Sequence, residues 1–365
     1  MQPVKWLKTE WKALFEWQQT QKLWHIALLA ALCMAVPMLF GLYLGQLKSA
    51  LLAAIGGLVI FYLPDAPVKQ RMLTLLICSA LFVVSYGIGL SFSFQFVPKI
   101  LALTMFTLVV QAGCLYYNLA PPGSTFFILL VSIAAYTPYN AGSIAPRLEI
   151  LAAGTSVACT IALLYSFITA QSHPPVAVVA AAQLSKSEIV FEAAIIALFV
   201  GLSLLAAHLL KLERPYWVPV SCVAVMRAVD VQQVWRRSFQ RVLGTMAGLG
   251  LARVLLLAQI NTLTICLSVP ALQFLAQYFV PRNYALGLVF ITPMALLLAE
   301  ATTANFNPDA LIITRFADIA LGSAIGAIGG YLLYHQQLRA QTTQQLRKWG
   351  KPLSERIWSL RETEK

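Results

Sequence analysis

Charged side chains are scarce in this chain. Asp, Glu, Lys and Arg make up 11% of its 365 residues, whereas apolar types make up 59%, and the mean hydropathy is +0.75. A soluble domain carries about 25% charged residues, because it must cover its surface with groups that water solvates. The scarcity excludes an ordinary soluble globular protein and predicts a membrane protein. At about 20 residues per span, with short connections, the chain holds on the order of a dozen spanning helices.

Recognisable ligand clusters are lacking too. The six cysteines lie inside or at the edges of apolar runs, no CxxC motif occurs, and the four histidines share no spacing. We therefore expect reduced, packed thiols, no disulfide framework, no metal site and no cofactor. A glycine-rich phosphate loop is also lacking, so ATP is not the predicted energy source, and no pattern indicates an enzyme.

What the chain has instead is a series of long apolar runs. They cover approximately 25–44, 49–64, 72–93, 98–116, 123–140, 147–170, 188–209, 215–229, 239–258, 260–279, 283–301 and 311–335. The second and eighth runs are short for a full crossing. The predicted fold class is an all-α polytopic membrane protein with about twelve transmembrane helices arranged as two parallel six-helix repeats.

The same pattern predicts the domain plan. Residues 24–170 form the first membrane repeat, a link rich in Pro, Ala and Ser covers 171–187, and residues 188–335 form the second repeat. Residues 1–23 place Lys8, Lys12 and Glu16 on one helix face and apolar side chains on the other, which predicts an interfacial amphipathic helix. Residues 336–365 are predicted to be a cytoplasmic tail.

Basic residues outnumber acidic ones, 26 to 14. They sit between apolar runs and near both ends of the chain, so the positive-inside rule explains them better than a nucleic-acid surface does. Most Lys and Arg fall on the cytoplasmic side when both termini are placed there, with Arg236, Arg237 and Arg241 in one cytoplasmic loop. The expected location is the bacterial inner membrane, with multiple crossings and both termini in the cytoplasm.

Two short patterns recur at a fixed distance. Arg147 precedes Gly154 as Arg315 precedes Gly322, and each pair of equivalent positions is 168 residues apart (315 − 147 and 322 − 154). A repeat that contains six crossings returns the chain to its starting side, so the two repeats must be parallel. Chance similarity of short patterns is the alternative.

Residues 213–250 form the most unusual segment. Residues 215–219 read PYWVP, and two prolines so close together predict a broken or kinked helix. Arg241 then precedes Gly244 and Gly248, whose small-xxx-small spacing permits close helix packing, as does Gly322.

These motifs resemble the fusaric acid resistance protein family, within the aromatic acid exporter superfamily. The resemblance covers most of 186–335, through PYWVP at 215–219, the Arg-rich stretch with Gly244 and Gly248, and Arg315-x-x-Asp318-x-x-x-Gly322. The first half fits more loosely, through the PPG sequence at 121–123 and Arg147-x-Glu149. The resemblance implies a secondary exporter of aromatic or other organic carboxylates. It also extends to plant aluminium-activated malate transporters, in which two six-helix units enclose one anion pathway.

The residues themselves agree in part with that implication. A carboxylate pathway requires cations at membrane depth, and proton coupling requires a carboxyl that can exchange a proton there. The cationic candidates are Arg147, Arg227, Arg241 and Arg315, and the carboxyl candidates are Glu149, Asp230, Glu300 and Asp318. The partners that we expect are the lipid bilayer and a small organic anion, with a homo-oligomer or an accessory envelope protein as further options.

Other interpretations remain open at this point. Arg315 with Asp318, and Arg227 with Asp230, have the i, i+3 spacing of structural ion pairs. Arg236 and Arg237 also suit lipid headgroup contacts. Among whole-protein functions, a major-facilitator-like multidrug transporter is one alternative, although residues 62–72 lack the expected loop motif. A non-transporting scaffold or envelope-assembly component is the other.

Overall fold

The computed structural model describes residues 16–19, 24–169, 184–257, 261–300 and 308–335. All regular structure in these residues is helical. The described residues contain twelve α-helices: α1 (Trp24–Tyr43), α2 (Leu47–Gly56), α3 (Val68–Ser91), α4 (Phe96–Tyr116), α5 (Thr125–Ala135), α6 (Ile144–Thr169), α7 (Lys186–Leu209), α8 (Trp217–Met226), α9 (Val231–Leu257), α10 (Thr262–Phe279), α11 (Tyr284–Glu300) and α12 (Pro308–Tyr334). Short 3-10 segments cover Gly57–Tyr62 and Ala141–Ser143.

Eight of these helices are long and apolar enough to cross a membrane: α1, α3, α4, α6, α7, α9, α10 and α12. Each is at least 18 residues long, close to the length that a 30 Å hydrocarbon layer requires. Their outward faces are apolar; Phe40, Val109 and Ile168, for example, are 63%, 71% and 76% exposed. Such faces suit lipid and not water, so the prediction of an all-helical, multi-pass membrane protein is confirmed.

The other four helices are shorter and supply much of the interior. They are α2 (with its 3-10 extension), α5, α8 and α11. Helix α8 has only ten residues, a length of about 15 Å, and nearly all of its side chains are buried. A helix this short and apolar gains its stability from the helices packed around it.

The order of packing is similar in the two halves of the chain. In residues 24–169, α2 packs on α6 and α3 packs on α5; in residues 184–335, α8 packs on α12 and α9 packs on α11. The halves are joined by α1 against α10, α4 against α7 and α5 against α8. The core is therefore shared between the halves.

Glycines mark the closest of these contacts. A Cβ on Gly154 would collide with the carbonyl oxygen of Ala53 in α2, and one on Gly322 with that of Val218 in α8. In α9, a Cβ on Gly244 would meet the carbonyl oxygen of Ala285, and one on Gly248 would lie 2.7 Å from the Thr292 Cβ. The backbones approach so closely that no larger residue fits without moving a helix.

Two local predictions were wrong. Helix α9 begins at Val231, so Arg236, Arg237 and Arg241 lie inside a helix and not in a loop. The helix in the PYWVP segment is not broken, because Pro215 precedes α8 and Pro219 lies in its first turn. The first backbone N–H groups of a helix have no partner within it, so proline is tolerated there.

The predicted N-terminal amphipathic helix falls mainly outside the described residues, as do most of the link at 171–187 and the tail at 336–365. Residues 16–19 are described and are not helical. The Gln18 N–H donates to the Arg282 carbonyl at 2.8 Å, and the Trp17 ring lies 6.1 Å from that of Phe279. This segment is therefore held against the turn between α10 and α11.

Candidate functional site

The candidate site surrounds α8, the short buried helix of the second half. Trp217 and Ser221 are one helical turn apart and therefore share a face of α8. Arg315 approaches this face from α12, and Arg241 approaches it from α9. Two cations from different helices thus converge on one short apolar helix.

Arg315 lies on the face of an aromatic ring. Its guanidinium carbon is 3.2 Å from the centroid of the Trp217 ring, and the residue is only 4% exposed. It is within the candidate span Ile312–Tyr334, one turn from the start of that span. A cation–π contact strengthens when water is excluded, so Trp217 stabilises this buried charge.

Asp318 is the most completely buried charged residue in the described part of the chain, with no exposed surface. Neither carboxylate oxygen has a hydrogen-bond partner among the described residues. The i, i+3 spacing therefore does not produce a direct hydrogen bond between Asp318 and Arg315. Burying an unpaired carboxyl costs folding free energy, and at such positions a functional role is the first hypothesis.

Arg241 joins three helices of the second half. One guanidinium nitrogen donates to the Tyr284 hydroxyl at 2.8 Å, and another donates to the Ser221 hydroxyl at 3.2 Å. Tyr284 is the first residue of α11 and Ser221 belongs to α8. Both partners are neutral, so these bonds hold the arginine in place without cancelling its charge.

Arg227 and Asp230 lie at the other end of α8 and do not pair. The Arg227 guanidinium donates to the Thr125 hydroxyl at 3.2 Å, across the boundary between the halves. Asp230 is exposed and accepts the backbone N–H of Gln233 at 2.7 Å, in the first turn of α9. Asp230 thus has a helix-capping role, whereas Arg227 fastens α8 to the start of α5.

Arg147 and Glu149 are not brought together. Arg147 is half-buried near the Tyr86 hydroxyl of α3, whereas Glu149 is exposed. Residues two apart on a helix point in different directions, which explains the separation. Of the eight candidates, the structure gathers Arg241, Arg315 and Asp318 around α8, while the Glu300 side chain lies outside the described residues.

Sequence reasoning missed the neutral and aromatic partners in this site, namely Trp217, Ser221 and Tyr284. Trp217 belongs to the PYWVP segment that stood out in the sequence, but nothing there indicates which cation it contacts. Ser221 and Tyr284 carry no local signal, because their role depends on how α8, α9 and α11 pack.

The comparisons with known proteins address this same region. The model of the family described as fusaric acid resistance protein-like matches residues 200–329. The family resemblance is confirmed. The matched segment contains Arg227, Asp230, Arg241, Arg315 and Asp318, whereas Arg147 and Glu149 lie outside it.

A bacterial relative is also a membrane protein. An uncharacterized membrane protein of Bacillus subtilis (strain 168), YvaC, is 36% identical over 144 residues. The match covers 38% of this chain and 23% of that protein, so the chain spans about a quarter of its relative's length. No solved structure matches the chain.

Proposed function

We propose that the protein is a secondary transporter that exports aromatic or other organic carboxylates from the bacterial cytoplasm, driven by the proton gradient. One observation carries the proposal: Arg315 lies on the Trp217 ring, one turn from the buried Asp318, inside a candidate membrane span. A cation, an aromatic face and an unpaired carboxyl are the groups that such transport requires. The name of the matching family refers to resistance to an aromatic carboxylic acid, which guides the choice of test substrates.

The chemistry of an anion in a membrane supports this role for the arginines. A carboxylate that leaves water loses its hydration, and a positively charged site must replace it. A charged side chain at the centre of a span costs about 2.5–3.5 kcal/mol on insertion scales. Arg241 and Arg315 are only 8% and 4% exposed, and burying a charge at such positions is unfavourable. The binding of a substrate anion would explain why these arginines are present.

Asp318 is the proposed proton-coupling group. Its carboxyl is three residues from Arg315, so the bound substrate anion and the ionised Asp318 carboxylate both interact with the positive charge of Arg315. The two binding equilibria are therefore linked, and each changes the affinity of the other. In this proposal, a proton taken up from outside and released inside accompanies the return of the unloaded carrier.

The proposed architecture is twelve crossings in two parallel six-helix repeats. The recurring packing of α2 on α6 and α8 on α12 supports it, as do the matching contacts of Gly154 and Gly322. The four shorter helices would then line the centre as the second and the fifth crossing of each repeat. The proposal includes no enzymatic step and no nucleic-acid partner; its partners are lipid, the organic anion and a second copy or accessory envelope protein.

Purified protein in liposomes tests the function. Vesicles that contain the protein and are loaded with radiolabelled benzoate should release it faster than loaded vesicles without the protein when a pH gradient is imposed. Asp318→Asn should abolish the effect of the gradient, whereas Glu149→Gln, which changes an exposed carboxylate of the other half, should not. A scaffold would give no substrate-dependent flux, and a multidrug transporter would move organic cations in preference to benzoate; either result rejects the proposal.

Reporter fusions test the orientation. Fusions at residues 5 and 360 should both report a cytoplasmic location, because the basic residues near both ends of the chain favour that side. A periplasmic signal from either fusion contradicts an even number of crossings with both termini inside.

A further inference from the structure

Three aromatic rings lie in a row across the boundary between the halves. Tyr136, at the end of α5, has its ring centroid 6.0 Å from that of Tyr216, which directly precedes α8. The Tyr216 ring is in turn 5.3 Å from the Trp217 ring. The first ring belongs to one half of the molecule, and the other two belong to the second half.

Each end of this aromatic row carries a cation. The Lys99 amino group lies 3.9 Å from the centroid of the Tyr136 ring, and the Arg315 guanidinium lies 3.2 Å from that of Trp217. The five side chains come from four segments of the chain, so the arrangement is not a product of local sequence. A carboxylate is a stronger partner for a cation than the face of a neutral ring, and it could take that place.

The row also contains an unpartnered polar group. The Tyr136 hydroxyl is buried and has no hydrogen-bond partner among the described residues. A buried tyrosine hydroxyl normally finds one. A ligand with an acceptor oxygen, such as a carboxylate, would satisfy this donor.

We infer that Tyr136, Tyr216 and Trp217 form the subsite that recognises the ring of an aromatic carboxylate, with the cation at one end of the row, Arg315 or Lys99, receiving its carboxylate. The inference rests on the proposed function and adds the residues that select an aromatic substrate over an aliphatic one. A ring stacked between Tyr136 and Tyr216 requires about 7 Å between them, or two contacts of about 3.5 Å. The two rings are tilted by 40° with their centroids 6.0 Å apart, so they must turn towards parallel and part by about 1 Å to admit the ring.

Two probes of equal charge and similar size test the subsite. Benzoate has a π face, whereas cyclohexanecarboxylate does not, and both are measured as competitors of labelled benzoate flux in liposomes. The wild-type protein should prefer benzoate. Tyr216→Leu should weaken benzoate competition about tenfold and cyclohexanecarboxylate competition less than about twofold, because an aromatic pair contributes about that much beyond its buried area.

Tyr278→Leu is the matched control. Its ring also carries a cation, since the Arg282 guanidinium carbon lies 3.8 Å from its centroid, but it belongs to α10 and is not part of the row. This variant should keep the wild-type preference. Tyr216→Phe keeps the ring and should also keep it, which separates ring recognition from a loss of folding.

The possible failures are distinguishable. If the wild-type protein gives no benzoate flux, the proposed function fails. If the two probes compete with that flux equally well, or if Tyr216→Leu weakens competition by both probes equally, transport stands and the aromatic subsite is rejected. Should Tyr216→Leu not accumulate, Tyr136→Leu from the opposite half must give the same selective loss, and the wild-type preference alone still decides between the two outcomes.

Discussion

The two halves of the molecule place buried arginines in different electrostatic surroundings. In the first half, the buried Arg71 lies 3.3 Å from the Asp65 carboxylate, whose side chain is 60% exposed. In the second half, the buried Arg241 is held by the neutral hydroxyls of Tyr284 and Ser221. The first half thus neutralises its cation near solvent, whereas the second half keeps a charge available inside the protein.

A second pair of positions, which follows the 168-residue spacing, also differs. Arg147 and Arg315 are 168 residues apart (315 − 147), but the position equivalent to Asp318 is Ile150 (318 − 168). The acidic residue of the first half is Glu149, which points elsewhere and is exposed. A similar sequence pattern therefore does not give two similar sites.

The largest expected effect is one that the halves share. Gly154→Leu and Gly322→Leu should each prevent folding, because even a Cβ would collide with the facing backbone of α2 or α8. Overpacking of this severity costs about 3 kcal/mol or more. Membrane-inserted protein and its thermal stability in detergent are the measurements.

Gly113→Leu and Gly250→Leu are the controls, because nothing lies within 4 Å of a Cβ at either position. Gly248→Leu, on the same helix as Gly250, should behave like the two damaging variants. A well-folded Gly154→Leu protein beside an absent Gly322→Leu protein would contradict the shared packing requirement.

The next largest effect should differ between the two halves. Asp318→Asn should leave the amount of protein unchanged and abolish export driven by a pH gradient, because an amide cannot exchange the proton. Glu149→Gln should export at the wild-type rate, since its carboxylate is exposed. Flux in liposomes with and without the gradient is the measurement. Equal losses in both variants would mean that the carboxyl groups of both halves take part in proton coupling.

A smaller difference between the halves is expected when the arginines are replaced. Arg315→Gln should weaken apparent substrate affinity about tenfold, the scale of a lost charge-assisted hydrogen bond. Arg147→Gln should change it less than about twofold, because its guanidinium lies near the Tyr86 hydroxyl and not on a ring of the aromatic row. Concentration dependence of benzoate efflux gives both values; a larger effect at Arg147 would move the binding site to the first half.

The smallest effects concern stability. Arg241→Gln should lower the free energy of unfolding by about 1–3 kcal/mol, because buried hydroxyl partners lose their donor. Asp65→Asn should lower it by less than about 1 kcal/mol, because an ion pair with an exposed partner is screened by solvent. Thermal shifts of the two purified variants compare them, and a greater loss in Asp65→Asn would mean that the first-half pair is the stronger one.

Much of the helical framework could be predicted, since each apolar run corresponds to a helix. The errors fell where local signals conflict. Arg236 and Arg237 suggested a loop, yet α9 runs through them, because long cationic side chains can extend to polar surroundings while their backbone stays helical. The prolines of residues 215–219 suggested a break, but both lie where a helix start tolerates them.

The candidate site was predictable only in its charged members. Arg241, Arg315 and Asp318 were identifiable because charge is rare in an apolar run. Their surroundings were not, and the distinction between Asp318 and Glu149 depended on helix rotation. Glu149 lies one position before Ile150, which corresponds to Asp318 at a spacing of 168 residues, and this difference leaves Glu149 exposed while Ile150 is half-buried.

By itself, the sequence determined that the chain belongs in a lipid membrane, that its secondary structure is helical, the order of the helices and the family resemblance of the second half. These follow from composition and from patterns within about 20 neighbouring residues, which act locally along the chain. Only the tertiary structure decided that Arg315 lies on Trp217, that Arg241 bonds to Tyr284, and that Tyr136 meets Tyr216 across the two halves. Such contacts join residues far apart in the chain, and they form because the short helices bury their apolar side chains among the longer ones.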